Sequence, residues 1–438
     1  MSAASSEGAS SKARHLPLRG ADLVLLGMQA LWAPERITSN AVLVVECDGP
    51  IAPGRVQQAV ERLLEVCPWP AARLGRPFPW GKLRWSAVSR GRAQVPVSHR
   101  TVTSAGEVHA AIETELNAAI DAWREPPVRV LLLEIEGDRS QGVLVLTWFH
   151  PLMDPRGGQN LLMHLAHVDD AQGRAPWPGA PPQFVPEPDR RPLRVRGPIA
   201  RRSLDHMRAL TSSPPVSPGT TLTTPGPARF RQEGFDDAGG APRDICGRLA
   251  VVAKAMAGLW ARRSLPLAPF LVPIAVDLRR KGDPGPTFGN MLAFHFARFA
   301  GDEAADVEAL AQSLRRQLAD AVRDGQIEAN AVAMEFLHYR PVSSLLRELP
   351  GTARRETFSF NCADVADFPA CAALFGRRVL NAYHVPAVLP RPGIGVFFNR
   401  CGVRNNLVAS WVEGAVTEAE VVRILEDVRE GMAWTTRA

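Results

Sequence analysis

This 438-residue sequence predicts an α/β (α+β) fold of two layered lobes, on three observations. Helical and strand-like segments succeed one another in mixed order through both halves, which suits helices packed on mixed sheets. The length exceeds what one hydrophobic core ordinarily organises. Residues 171–243 hold fourteen of the 38 prolines, so that stretch can form neither a continuous sheet nor a long helix. The divisions expected are a disordered tail over 1–14, an N-terminal lobe over 15–170, a Pro-rich crossover linker over 171–243 and a C-terminal lobe over 244–438.

The tail is rich in Ser, Ala and Gly and has no apolar segment, so it does not read as a secretory signal. Apolar residues at helical intervals predict a helix over Ala21–Trp32, with Asp22 near its start. Asn40–Cys47 has strand composition, and Pro53, suited to a first helical turn, opens a helix to about Val66. Ala105–Ile120 is amphipathic. Val128–Glu136 and Gly142–Phe149 read as strands joined by the turn Gly137–Ser140, and Gly158–Val168 as the following helix. One helix, Ile199–Leu210, interrupts the linker. Beyond it come a helix over Asp244–Arg263, strands over Phe270–Val276 and Met291–Phe299, and a helix over Asp302–Arg323. Strands near Glu356–Asn361, Gly395–Asn399 and Asn406–Trp411 precede a closing helix at Thr417–Met432.

Composition narrows the function. Apolar content of 46% with 22% charged residues is that of a globular protein. No run approaches the ~18 apolar residues of a transmembrane segment. The six cysteines are scattered with no Cys-x-x-Cys, which fits free thiols in a reducing, cytoplasmic setting better than disulfides or zinc. The net charge of +6 is carried by 47 Arg and 4 Lys. GC-rich codon usage accounts for most of that bias, although arginine's planar fork also suits phosphate. The arginines are dispersed, with no basic run interleaved with aromatics, which argues against nucleic acid.

The most informative stretch is Gly142-Val-Leu-Val-Leu-Thr-Trp-Phe-His-Pro-Leu-Met-Asp-Pro-Arg-Gly-Gly158. An apolar strand delivers His150 to its polar end, and Asp154 follows before a Gly-Gly pair and an amphipathic helix. Such a strand can project an imidazole, a proton acceptor near neutral pH, into a cleft. A lone histidine beside an apolar strand is nevertheless more often a hydrogen-bonded core residue.

The flanks tip the balance. Phe149-His-Pro-Leu-Met-Asp-Pro155 resembles the His-His-x-x-x-Asp-Gly signature of the CoA-dependent acyltransferases with the chloramphenicol acetyltransferase fold. That group includes condensation domains, wax ester synthase/diacylglycerol acyltransferases and polyketide-associated acyltransferases. Leu16-Pro-Leu-Arg-Gly-Ala-Asp22, Val276-Asp-Leu-Arg279, Phe288-Gly-Asn290 and Ser359-Phe-Asn361 agree with it in order and spacing. The resemblance implies two similar lobes with a tunnel between them and His150 as general base. It implies an acyl-CoA or phosphopantetheine thioester as substrate, no cofactor, and a hydroxyl or amine acceptor, with an acyl or peptidyl carrier protein as a possible partner. Asp154 is then architectural, in an ion pair for which Arg279 is the candidate.

Two positions depart from the pattern. Phe149 replaces the first histidine, as in many acyltransferases of the group. Pro155 replaces the glycine, so a loop needing positive φ there could not form. Neither the Asp-Phe-Gly-Trp-Gly element of the plant acyltransferases nor the later core motifs of standard condensation domains is present. Asn290, Ser359 and Asn361 are candidate substrate or oxyanion contacts, with turn or strand-edge roles as the alternative. His164 with His167, and Glu335 with His338, have metal-ligand spacing but lack a second ligand set, so no metal is expected. Two other readings follow: an idle condensation-like relative that binds a carrier protein, motivated by Pro155, and a metal-dependent hydrolase.

Overall fold

The computed structural model describes residues 15–32, 37–78, 81–88, 93–170, 189–236, 244–266, 268–279, 287–339, 356, 358–368 and 373–434. The tail, residues 171–188 and 237–243 of the expected linker, and Cys371 lie outside the described residues.

The first half contains β1 (His15–Pro17), α1 (Gly20–Ala30), β2 (Asn40–Cys47), α2 (Pro53–Val66), β3 (Arg73–Gly75) and β4 (Arg84–Ser86). It continues with β5 (Val97–Val102), α3 (Ala105–Asn117), β6 (Val128–Ile135), β7 (Asp138–Phe149) and α4 (Pro155–Asp170). Then follow α5 (Leu193–Leu210), β8 (Ala228–Asp236), α6 (Ile245–Arg263), β9 (Phe270–Asp277), β10 (Leu292–Phe299), α7 (Val307–Arg323) and α8 (Gln326–Glu335). The chain closes with β11 (Asn361–Phe368), β12 (Val379–Pro386), β13 (Ile394–Cys401), β14 (Arg404–Val412) and α9 (Glu418–Trp434).

Local chemistry sets many of these boundaries. Pro53 occupies the first turn of α2, where its missing N–H costs nothing. Ser104, Asp244 and Asp306 each accept a backbone N–H from the first turn of α3, α6 and α7. The last of these caps splits the helix expected over Asp302–Arg323 into a 3-10 turn at Asp302–Ala305 and α7.

Elsewhere the structure departs from the sequence reading. β7 begins at Asp138, so the hairpin is tighter than the four-residue turn expected. α5 begins at Leu193 and carries Pro198 inside it. Ala228–Asp236, expected within the linker, is a strand, and the strand expected from Glu356 starts only at Asn361. The short strand β5, the weakly amphipathic α8 and β12 carry too little periodicity to be read in advance.

Two large sheets organise the molecule. One runs β12-β2-β7-β6-β5 and the other β11-β13-β14-β8. Alternation sends Leu43, Val45, Leu144, Leu146 and Trp148 to one face of the first sheet, in a core with α2 and α4 residues such as Val56, Leu63 and Leu162. Val42, Val44, Val145 and Val385 point the other way and meet Phe230, Phe397 and Val408 of the second sheet, alongside α3. The far face of the second sheet, through Val396, Phe398 and Leu407, packs on α6, α7 and α9. β2 and β7 are therefore covered on both sides, which explains their unbroken apolar runs.

The strand β12 comes from the second half of the chain yet completes the first sheet, pairing antiparallel with β2 from Val379↔Cys47 to Pro386↔Ala41. It is an edge strand, and buried edge groups need partners. Asparagine side chains of the other sheet supply them. His384 N donates to Asn399 Oδ1 at 2.9 Å, and Asn406 Nδ2 donates to Ala382 O at 3.2 Å and to Asn381 Oδ1 at 2.9 Å. Gln232 Nε2 in turn donates to Asn406 Oδ1 at 2.8 Å. Asn406→Ala strands three of these groups and should lower the unfolding free energy by about 1–3 kcal/mol. Denaturant titration with an unchanged m-value would measure the loss; wild-type stability would exclude the capping role.

Candidate active site

β7 ends at Phe149, and His150 begins the loop to α4. The loop is built from backbone hydrogen bonds: His150 N donates to Ser39 O, Leu152 N to Phe149 O and Met153 N to His150 O, at 2.8, 2.8 and 3.1 Å. Trp148 Nε1 donates to Met153 O at 2.7 Å from beneath. The His150 side chain is partly exposed, while its Nδ1 is sealed and has no hydrogen-bond partner of ordinary geometry among the described residues. Burial holds the imidazole pKa below its usual value, although the residue's own backbone and the charge of Asp154 pull it upward. Burial thus favours the neutral form of the ring.

Asp154 is 4% exposed and accepts four hydrogen bonds. Oδ1 receives Gly157 N at 2.7 Å and Arg279 Nη2 at 2.9 Å. Oδ2 receives Arg279 Nη1 at 3.0 Å and Met291 N at 2.8 Å. The Arg279 guanidinium also reaches Asp277 Oδ1 and Gly289 O. Burial alone would lower the Arg279 pKa; Asp154 and Asp277 outweigh it and keep the group charged. Asp154 therefore caps α4 and also joins it to the 277–291 segment. The approach is so close that a Cβ on Gly157 would lie 1.9 Å from Phe288 O.

Pro155 finds its explanation here. It is the first residue of α4, where proline's fixed φ is already helical and its absent N–H is not needed. The loop needs no positive φ at that position, so the glycine of the resembling signature is dispensable.

The remaining candidates fall in different places. Asn290 is 3% exposed, and its Nδ2 donates to Asp22 Oδ1 at 2.7 Å and to His150 O at 3.2 Å. Both amide hydrogens are taken by the protein, so Asn290 has no N–H for an oxyanion; it fixes the loop. Ser359, 1% exposed, accepts Leu271 N at its Oγ and extends the edge of β9. Asn361 opens β11 opposite Gly395 of β13. Glu335 pairs with Arg19 at 3.1 Å and His338 at 3.6 Å. Among the described residues, no three His, Cys, Asp or Glu are grouped to hold a metal ion, and no helix is long and apolar enough to cross a membrane. Cys67, Cys246 and Cys362 are free thiols.

Two residues packed around this loop escaped sequence reading. Asp22, named only as a helix-start residue, is 1% exposed and accepts Arg19 N at 2.7 Å. Burial pushes its carboxyl up to about 8 against those hydrogen bonds. His384 of β12 meets the Trp148 indole edge-on, with ring centroids 5.9 Å apart. No local pattern marks His384, because its strand reaches this sheet only in three dimensions.

No protein-family model matches the chain, and no curated protein matches it. Solved structures do. The starter condensation domain of rhizomide synthetase superposes with a TM-score of 0.62 at 13% identity, covering 97% of both chains. A trichothecene 15-O-acetyltransferase from Fusarium sporotrichioides gives 0.70 at 12% identity, over 96% of this chain and 95% of that one. Polyketide synthase associated protein 5 from Mycobacterium tuberculosis gives 0.59 at 16%, over 94% and 96%. The chain shares the mixed α/β fold of these three proteins.

Two expectations follow from this site. Asp154→Ala leaves Arg279 buried without its partner and should cost about 3–5 kcal/mol, whereas His150→Ala should unfold like wild type; equal unfolding midpoints for the two variants would refute the clamp. Asp22 binds its proton more tightly folded than unfolded. Its contribution is therefore complete below the unfolded value of 3.8 and is lost as pH rises to about 8. Stability measured across that window should decline with pH, and the decline should be shallower in Asp22→Asn.

Proposed function

We propose that the protein transfers an acyl group from a thioester of CoA or of a carrier protein to a hydroxyl or amine, with His150 as general base. The observation that carries this reading is a partly exposed imidazole, kept neutral by burial, on a loop that Asp154 and Arg279 hold rigid. Supporting it are the fold's neighbours: a starter condensation domain crystallised with C8-CoA and Leu-SNAC, and an O-acetyltransferase.

In this reading Nε2 of His150 removes the proton of the acceptor as the acceptor oxygen or nitrogen attacks the thioester carbonyl. The tetrahedral intermediate collapses with cleavage of the C–S bond, and the imidazolium returns the proton to the departing thiolate. The thioester is a substrate, so the reaction consumes no cofactor and needs no covalent enzyme intermediate. Positioned base catalysis supplies about 10²–10⁴ in rate, with the rest coming from holding the two substrates together. A passage between two lobes would bring donor and acceptor to the histidine from opposite sides. The place of Pro155 at the start of α4 supports this reading over that of an idle relative.

Release of free thiol from a panel of acyl-CoAs, in the presence of a metabolite extract as acceptor pool, tests the proposal. His150→Ala should reduce turnover about 10²–10⁴-fold. Because the histidine titrates below its ordinary 6.5, the acid limb of kcat/KM should lie below that pH. Undiminished turnover in His150→Ala would overturn the assignment.

A further inference from the structure

The loop that carries His150 is tied to a second buried carboxyl group, and this one lacks the guanidinium that saturates Asp154. Asp22 lies in the first turn of α1 and is 1% exposed. Its Oδ2 accepts Arg19 N at 2.7 Å, and its Oδ1 accepts Asn290 Nδ2 at 2.7 Å. The same Nδ2 donates to His150 O at 3.2 Å, while Asn290 Oδ1 is buried without a hydrogen-bond partner among the described residues. A single amide therefore stands between the Asp22 carboxyl and the backbone of His150.

The start of α1 has no room to adjust. A Cβ on Gly20 would lie 2.4 Å from the Met334 backbone, and Gly20 N and Arg19 Nε both reach Glu335 Oε1, each at 3.1 Å. Burial first, and the charge of Glu335 on α8, raise the Asp22 carboxyl to about 8 against its two hydrogen bonds and the charge of Arg19. His338 is the other partner of Glu335. Burial, with Lys82 nearby, holds its pKa below 6.5 against the pull of Glu335, so it is neutral where Asp22 titrates.

The hydrogen bonds at Asp22 are those of the ionised form. An acid proton on either oxygen would meet an N–H, donor against donor. Arg19 N is fixed in the backbone, but the Asn290 amide can turn and offer its unpartnered Oδ1 to a proton on Asp22. That turn sets a carbonyl oxygen against His150 O in place of the donor.

We propose that Asp22 is a positioning residue for His150: ionised, it keeps Asn290 fastened to the histidine's carbonyl, and neutral, it lets that hold go. This rests on the acyl-transfer reading of His150 and adds to it a proton-dependent control from outside the reacting centre.

The limb that belongs to His150 lies below pH 6.5, so a response of Asp22 is separable from it. Wild-type kcat should rise a second time, by about 2- to 10-fold, as the pH passes about 8, with KM unchanged. Asp22→Asn is isosteric and, like the neutral acid, presents a donor to Asn290; it should stay on the lower plateau throughout. Asn290→Asp sets two carboxyls face to face and should lower stability. Adding Asp22→Asn to it rebuilds an amide–carboxylate pair but leaves His150 O without a donor, so stability should return and kcat should not. Independently of turnover, the side-chain amide resonance of isotope-labelled Asn290 should titrate near pH 8 in wild type and not in Asp22→Asn. A wild type without the second rise, a rise that survives in Asp22→Asn, recovery of kcat in the double variant, or an Asn290 resonance indifferent to pH would each overturn the inference. Failure of wild type to cleave any thioester would instead defeat the acyl-transfer reading, while the Asn290 resonance still reports whether the proton on Asp22 governs the amide.

Discussion

One buried carboxylate holds the site together. Asp154 takes two hydrogen bonds from a single guanidinium and two from backbone N–H groups, one on its own helix and one across the junction to β10. A charge this deeply buried is tolerated only when its lone pairs are occupied, and here they are. The consequence is geometric. The carboxylate ties the first turn of α4 to Arg279 and to the backbone at Met291, beside the loop that carries His150.

Around that carboxylate, polar groups are divided by task. Asn290 spends its amide on Asp22 and on the carbonyl of His150, tying α1 to the loop. Asn399 and Asn406 close the free edge of β12. Each of these side chains commits at least one polar atom to the fold, although Asn290 Oδ1 and Asn399 Nδ2 find no hydrogen-bond partner among the described residues. His150 Nδ1 and both ring nitrogens of His384 are likewise buried without a hydrogen-bond partner among the described residues.

Much of the fold was legible because periodicity and caps are local. β2 and α2 fall where their composition places them, and Asp244 starts α6 as an N-cap. β12 was not legible: Val-Leu-Asn-Ala-Tyr-His-Val-Pro has a mixed pattern, and its polar residues are explained by amides of another sheet. α8 carries almost no amphipathic signal, since neighbours enclose it on more than one side. The doubt over Pro155 was an error of register: the residue belongs to the helix and not to the turn before it.

By itself the sequence determined the helices and strands with strong periodicity, the α/β class, and a histidine at the polar end of a buried strand with an aspartate four residues on. Those features depend on neighbours within a few residues. The resemblance named Arg279 as the partner of Asp154, 125 residues away, but tertiary structure alone decided that it meets it twice, that Asn290 serves the loop, and that His384 crosses from the second half to lie beside Trp148. Such contacts are fixed by how two sheets stack and which strand fills an edge, and linear order holds no record of either.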